Sequence, residues 1–450
     1  ICDPETDDPH QHLVEAMNLR SLLVLSSTLT LCLSAASTAD WPQWRGPNQD
    51  GSIRMSGLPS TLSPANLRWS TPLPGKAGST PVVSGHRVFL TSPDEQKNLQ
   101  LICLDRTSGK ALWSRNVGLG DKEVGRNNTC APSPVTDGKR VYALFGTGDF
   151  AAFDLDGKPL WSRNLSKDFG SLGLMWIYGA SPLLHDGRLY LAILQRREVP
   201  PDYPRFDGKP ERDSFLLCID PKTGKDLWKT LRSTDSTKES SESYATPVPF
   251  QGPNGTELIV VGGDHVSGHR PKDGSEIWRA RLYEKRDDWY RIVTSPVIAG
   301  GYILASGPKG QPVVAFKPGG KGDVTTTHRA WDFKEAPTDW STPCVLDGHL
   351  FVLDGQKRIV SKLDPANGQK IWSGKIPGNG PIWGSLSAAD GKLYCHDEAG
   401  TVFALSAGKA FEVLSSHAFT GEAPCKGSVA LSHGNLFVRT AKALHCFGKP

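Results

Sequence analysis

Three groups of residues in this 450-residue chain have the types and spacing that chemistry needs. The stretch IDPKTGKDLW (219–228) sets an acid, Asp220, a cation, Lys225, and an aromatic, Trp228, close together. Such a trio could hold a polar planar ligand, a redox cofactor among them. The stretch VGGDHVSGH (261–269) offers metal-type donors in Asp264, His265 and His269. His269 falls where another copy of the same pattern has Leu104, so the two imidazoles are expected to point differently and no metal is assigned. Cysteine is the third group. Cys103, Cys218 and Cys446 occupy one equivalent position, where other copies carry Ala152 and Ala404, which marks a small buried residue. No CxxC pair, CxxCH motif or adjacent cysteine pair occurs, so neither haem attachment nor thiol redox chemistry is indicated.

The elements that would position these residues repeat. IDPKTGKDLW recurs as LDRTSGKALW (104–113), FDLDGKPLW (153–161), HRPKDGSEIW (269–278) and LDPANGQKIW (363–372), with a degenerate copy at 315–331. The turn glycines Gly109, Gly157, Gly224, Gly274 and Gly368 are spaced by 48, 67, 50 and 94 residues, the last being two periods. Before each copy comes a small residue, Pro, two apolar residues, a Gly turn and an alternating strand, as in STPVVSGHRVFL (79–90) and STPCVLDGHLFVL (341–353). Eight units follow between residues 79 and 450, each with four short runs divided by turn chemistry. One four-stranded unit cannot bury both its faces, but eight arranged radially can, which predicts an all-β, eight-bladed propeller. The last unit stops at ALHCFGKP, short of its outer strand. LRWSTPL (67–73) is expected to supply that strand and close the ring, with Trp69 in the repeat position. In this frame Asp220, Gly224 and Lys225 make a tight turn. Trp228 and its equivalents Trp69, Trp113, Trp161, Trp278, Trp331 and Trp372 lie on outer strands, covering the gaps between blades, and are structural.

Repeats of the form A/C-x-D-x-x-T-G-K-x-x-W resemble the tryptophan-docking repeats of the pyrroloquinoline quinone (PQQ) family, the propellers of quinoprotein alcohol dehydrogenases. The same repeats occur in propellers that bind no quinone, including the outer-membrane-protein assembly lipoprotein. The leader WPQWRGPNQDG (41–51) is similar to the opening of secreted bacterial PQQ-like repeat proteins. The resemblance covers residues 41–450 and speaks to fold more than to activity.

Loop lengths locate a site. The turns A–B and C–D are short, and the variation falls in the B–C insertion 195–215 and the D–A loops 118–130, 166–178, 232–243 and 283–293. The loop-rich face is where a small molecule or protein partner is expected. Unrepeated residues just before each first strand should ring the channel mouth there: Arg126, Asn128, Trp176, Tyr178, Glu242, Tyr244, Arg291, Asp339, Trp340, Trp383 and Lys426. They suit a planar anion or the end of a polar polymer. A quinoprotein would use Arg126, Arg291 and Lys426 for carboxylates and Trp340 or Trp383 for stacking. Glu242, Asn128 and Asp339 would serve calcium and base roles. The family's calcium and base motifs do not map onto this chain, and the adjacent cysteines are missing. The reading is therefore a ligand-binding or protein-interaction scaffold with no assigned catalysis, cofactor or metal. A PQQ- and Ca²⁺-dependent oxidoreductase is the alternative.

A net charge of +4 with 22% charged residues, and no basic stripe, excludes a dedicated nucleic-acid binder. From Met17, one basic residue, an apolar run from Leu22 to Leu33 and small residues at Ser37 and Ala39 read as a cleaved signal peptide, 17–39. The run is too short for a comfortable transmembrane anchor. Residues 1–16 are acidic and read as an upstream extension that does not belong to the native protein. The expected product is an exported single domain, 40–450, periplasmic or secreted.

Overall fold

The computed structural model describes residues 39–198, 212–253, 255–284 and 288–449. The expected upstream extension 1–16, the expected signal peptide up to residue 38 and most of the 195–215 insertion lie outside them. Eight four-stranded antiparallel blades span 82–119, 135–164, 183–231, 248–281, 297–333, 344–375, 387–418 and 430–447. The fourth strand of the eighth blade is Leu67–Pro72, paired antiparallel with Ala443–Phe447. The closing strand and its Trp69 stand where the truncated last repeat requires them. The core is built between blades: Phe89, Leu101 and Cys103 of the first blade pack with Val141, Ala143 and Phe153 of the second. Among the described residues no helix is long and apolar enough to cross a membrane.

The repeat motif is explained by its neighbours. Each repeat tryptophan except Trp372, which faces Lys362, pairs across strands with the small position, as in Cys103↔Trp113, Cys218↔Trp228 and Cys446↔Trp69. Its ring then lies against the turn glycine of the next blade. A Cβ on Gly224 would come within 2.7 Å of Trp161, and one on Gly109 within 2.6 Å of Trp69. Both glycines have positive φ, which other residues resist. The indole N–H donates to a carbonyl of that next turn, Trp161 to Pro221 at 2.9 Å and Trp113 to Leu155 at 3.0 Å.

Two blades depart from this pattern. In the fifth, the C–D connection is long rather than short: Gly322–Asp323 adds to the edge of the fourth blade, and Thr325–His328 is helical. No turn glycine is left there to receive Trp278. Its indole is buried and donates to Glu257 of its own blade at 2.7 Å. In the seventh blade Ser415 stands in the tryptophan position. The leader fills the gap, with Leu58 and Leu62 buried among Tyr394, Val402, Phe419 and Leu436, and Leu62 N–H donating to Ser415 Oγ.

The residue before each repeat proline, or its equivalent, closes the ring. The amide of Thr80 donates to Ser133 Oγ, that of Ser133 to Ser181 Oγ, and that of Ser181 to Thr246 Oγ1. The chain of bonds continues through Ser295, Thr342, Ser385 and Ser428, which donates to Thr80 Oγ1 at 3.1 Å. One bond per blade, each 2.8–3.1 Å, thus runs around the channel. The small residue of the repeat is a hydroxyl because the neighbouring blade's buried N–H needs an acceptor.

The leader plugs one end of the channel. Trp41 bridges Val83, Thr136 N–H donates to Pro42 O, and Leu184 N–H donates to Gln43 Oε1. On the other side Val345 N–H donates to Asp50 O, and Ala388 exchanges bonds with Gly51 and Ile53. These first strands are inner edges, whose free N–H and C=O groups would otherwise face the channel. Arg45 is buried in the plug and donates to Leu386 O at 2.7 Å, Pro343 O at 2.5 Å and Asp50 O at 3.0 Å.

Candidate functional site

At the loop-rich end the channel opens as a cavity of about 690 Å³, within the usual size for a small-molecule site. Trp44 of the leader contributes to its lining. A simple rule sets much of the rest. The residues two positions before the hydroxyl ring, Gly78, Ala131, Gly179, Tyr244, Val293, Trp340, Trp383 and Lys426, all line the cavity. They are small on the first three blades and mostly bulky on the others. The loops compensate on the small side, bringing in Arg126 and Trp176. A short hairpin, Glu123–Val124 with Asn127–Asn128, carries Arg126 in its turn. Gly125 beside it has positive φ, and a Cβ there would lie 2.4 Å from the Trp176 ring. The turn is therefore pressed onto the indole, which aims Arg126 inward.

Eight of the residues expected at the mouth come together here: Arg126, Trp176, Tyr244, Arg291, Asp339, Trp340, Trp383 and Lys426. Three do not line it. Tyr178 is buried in the core between the second and third blades, its hydroxyl donating to Ala192 O at 3.3 Å. Glu242 is fully buried and accepts from Met175 N–H and Tyr244 Oη while facing Arg196 at 3.2 Å. Asn128 turns away and donates to Lys76 O. Trp44, Glu239, Lys309 and Gln356 also line the cavity and were not expected. The two-residue rule would have separated Tyr244 from Glu242, but Trp44 and Lys309 come from a leader and a B–C loop with no repeat to count from.

The geometry favours an anion near an aromatic face. Trp340 and Trp383 lie 4.4 Å apart between ring centroids, and the Arg126 guanidinium sits 4.2 Å over Trp383. Trp340 N–H donates to Ile382 O at 2.7 Å, whereas the buried Trp383 Nε1 has no partner among the described residues. The lining holds four cations, Arg126, Arg291, Lys309 and Lys426, against Glu239 and Asp339. Arg291 faces Glu239 at 3.6 Å, and Lys426 faces Glu123 at 3.9 Å. Among the described residues Arg126 has no ion pair with an acid, and its guanidinium lies against the indole π face. Burial pulls Lys426 below the ordinary lysine range despite Glu123. Burial, and then the Glu242 carboxylate, push the Tyr244 phenol well up, so it stays neutral.

The chain matches the family model described as Outer membrane protein assembly factor BamB, a PQQ-like repeat family, over residues 61–190, 175–373 and 320–412. It belongs to that family. No curated protein matches it significantly in sequence. Among solved structures, this propeller is similar to quinohemoprotein alcohol dehydrogenase from Comamonas testosteroni. The identity is 12% and the TM-score 0.64, over 93% of this chain and 82% of that one. It is also similar to BamB from Moraxella catarrhalis, at 14% identity and TM-score 0.53, over 88% and 99% of the two chains. Identities this low speak to the fold alone.

The PQQ-like fold raises the question of a quinone held with calcium, and the donor set does not fit one. Calcium needs six to eight oxygens converging on one point. Among the described residues no three of His, Cys, Asp and Glu converge. Glu242 is consumed by its own partners, Asn128 faces elsewhere, and Asp339 accepts the Lys309 amide. The seven described cysteines are free and buried, and burial pushes Cys103 and Cys344 up to about 12. The VGGDHVSGH donors are also spent locally. Asp264 accepts from Tyr283 Oη, while His265 and His269 bond to the carbonyls of Gly263 and Gly274.

Proposed function

We propose that this protein is an exported binding propeller whose axial cavity holds a planar or chain-end anion without a metal, and that its loop-rich face is the side offered to a partner. The observation that carries the reading is the cluster of Arg126, Trp383 and Trp340 in a cavity floored by the leader, with more cations than acids in its lining. The leader bonded across the first strands of several blades leaves the loop-rich end as the way in. Export is supported by the signal-type stretch 17–39. The family description, which names an outer-membrane assembly factor, supports an envelope location.

The test uses residues 40–450 and titrates PQQ, as a planar tricarboxylate, with and without Ca²⁺. Tryptophan quenching and calorimetry read binding, and dye-linked alcohol oxidation reads catalysis. The expected result is quenching that Ca²⁺ does not enhance, weakened at least ~10-fold by Arg126→Ala, with no alcohol turnover. Turnover that depends on Ca²⁺ would replace this reading with the oxidoreductase one. No quenching by PQQ or by simpler aromatic carboxylates would remove the anion site.

A further inference from the structure

The eighth blade carries a polar cluster that its repeats do not need. Ser70, on the closing strand, lies opposite His445, with Oγ 2.8 Å from Nδ1. The other ring nitrogen, Nε2, is 2.8 Å from Glu422 Oε2, and Glu422 also accepts from Thr440 Oγ1 at 2.6 Å. A hydroxyl, an imidazole and a carboxylate are therefore connected in series. The equivalent of His445 in the other blades is Ile102, Ala151, Leu217, Ser267, Val314, Ser361 or Phe403. An imidazole at this position is thus not part of the scaffold's pattern.

The local geometry meets further demands of a nucleophile. Ser70 is exposed, while His445 is only 2% exposed and stacks flat on Phe419, with centroids 3.7 Å apart and planes 16° apart. The stack and the carboxylate fix the ring's orientation, and with Nε2–H donated to Glu422 the free lone pair is on Nδ1, facing the hydroxyl. Leu73 N–H donates to Lys442 O, so alternation along the antiparallel pair makes Ser70 and His445 a non-hydrogen-bonded pair. Ser70 N–H then points to the free outer edge of the sheet, beside its own Oγ. It is available to an oxyanion there. An extended substrate laid along that edge would present its carbonyl to both groups.

We propose that Ser70, His445 and Glu422 form an acyl-transfer triad on the outer edge of the eighth blade, acting on carboxylic esters of extended chains. Ser70 Oγ forms the new bond to the acyl carbon, and its proton passes to His445 Nδ1. The alkoxide leaves with that proton, and water, activated by the same nitrogen, releases the acid and restores the serine. Glu422 orients the ring and offsets its charge without itself being protonated.

The site is independent of the axial cavity. Its test is labelling of the full chain with a fluorophosphonate, in which the serine oxygen displaces fluoride from phosphorus, followed by peptide mapping. Ser70 is expected to label at least ~10-fold faster than Ser108, an exposed serine bonded to Asp105 but to no imidazole. His445→Gln should slow Ser70 labelling roughly 10²-fold, and Ser70→Ala should abolish labelling at that site in a chain that still folds. The charged and titratable groups around His445 are Glu422, His417 and Lys442, and burial keeps the imidazole below its ordinary value. The labelling rate should therefore stay flat from pH 8 down through about 6.5 before it falls. Labelling of Ser70 no faster than Ser108, or unchanged by His445→Gln, would reduce the cluster to a structural brace. The wild-type map decides this even if His445→Gln does not fold.

Discussion

Replacing Arg45 by Met tests whether the leader is a structural plug or a loosely laid strap. The guanidinium gives three hydrogen bonds to main-chain carbonyls, of which Leu386 and Pro343 belong to two different blades and Asp50 to the leader itself. Hydrogen bonds from a charged donor contribute about 1.5–3 kcal/mol each when lost from a buried acceptor. Against this stands the cost of burying the charge, which already pulls the Arg45 pKa down and which Met does not incur. The balance is a loss of about 2–4 kcal/mol. With an unfolding entropy of about 2.1 cal/mol/K per residue over roughly 400 residues, that is a fall in Tm of about 2–5 °C. The second readout is specific to the plug: Trp44 lies one residue away in the cavity lining, so ligand affinity should fall with Arg45→Met although Arg45 itself is not in that lining. Thermal unfolding by circular dichroism and the quenching titration measure the two. A melting temperature within 1 °C of wild type, together with unaltered ligand affinity, would refute the plug.

Three further outcomes follow from the same packing. Ser133→Ala removes the acceptor of the buried Thr80 amide and should cost about 1–3 kcal/mol in denaturant unfolding; Ser133→Thr, which keeps the oxygen, should recover most of it. His269 is buried with its pKa depressed to about 4, burial being the main cause. The unfolded chain takes up this proton near pH 6.5 and the folded one only near 4. Its contribution is then full above about 6.5 and is lost, by ~3 kcal/mol, as the pH falls to about 4; His269→Asn should lose that much of the acid slope while the part owed to the other buried histidines, His265, His396 and His445, remains. In residues 40–450, the seven buried thiols should resist a disulfide reagent at pH 8 while native and react on denaturation; fast reaction of any one in the native protein would contradict its burial.

Much of this was legible because repetition is itself information. One unit is ambiguous, but eight in register reveal the turn glycines, the small positions and the missing last strand, so the blade count and the role of Leu67–Pro72 could be read directly. The loop-rich face was legible too, since variation in loop length needs no coordinates. Trp278 was not, because its fate depends on a neighbour: with no turn glycine on the fifth blade to receive it, the indole turns to Glu257. Tyr178 and Glu242 were placed at the mouth because they precede a first strand, as Trp176 and Tyr244 do. In an irregular loop there is no fixed period to say which of two nearby side chains faces inward.

The linear order of residues by itself determined the architecture, for strand period, turn chemistry and Gly-dependent close approach are local demands that each repeat states again. Tertiary structure alone decided the content of the channel. A leader that bonds to inner edges several blades apart, a hydroxyl ring closed from Ser428 back to Thr80, and an Arg126 laid over Trp383 are contacts between residues far apart in the chain. Their partners are selected by where the closed ring puts each free N–H, carbonyl and aromatic face.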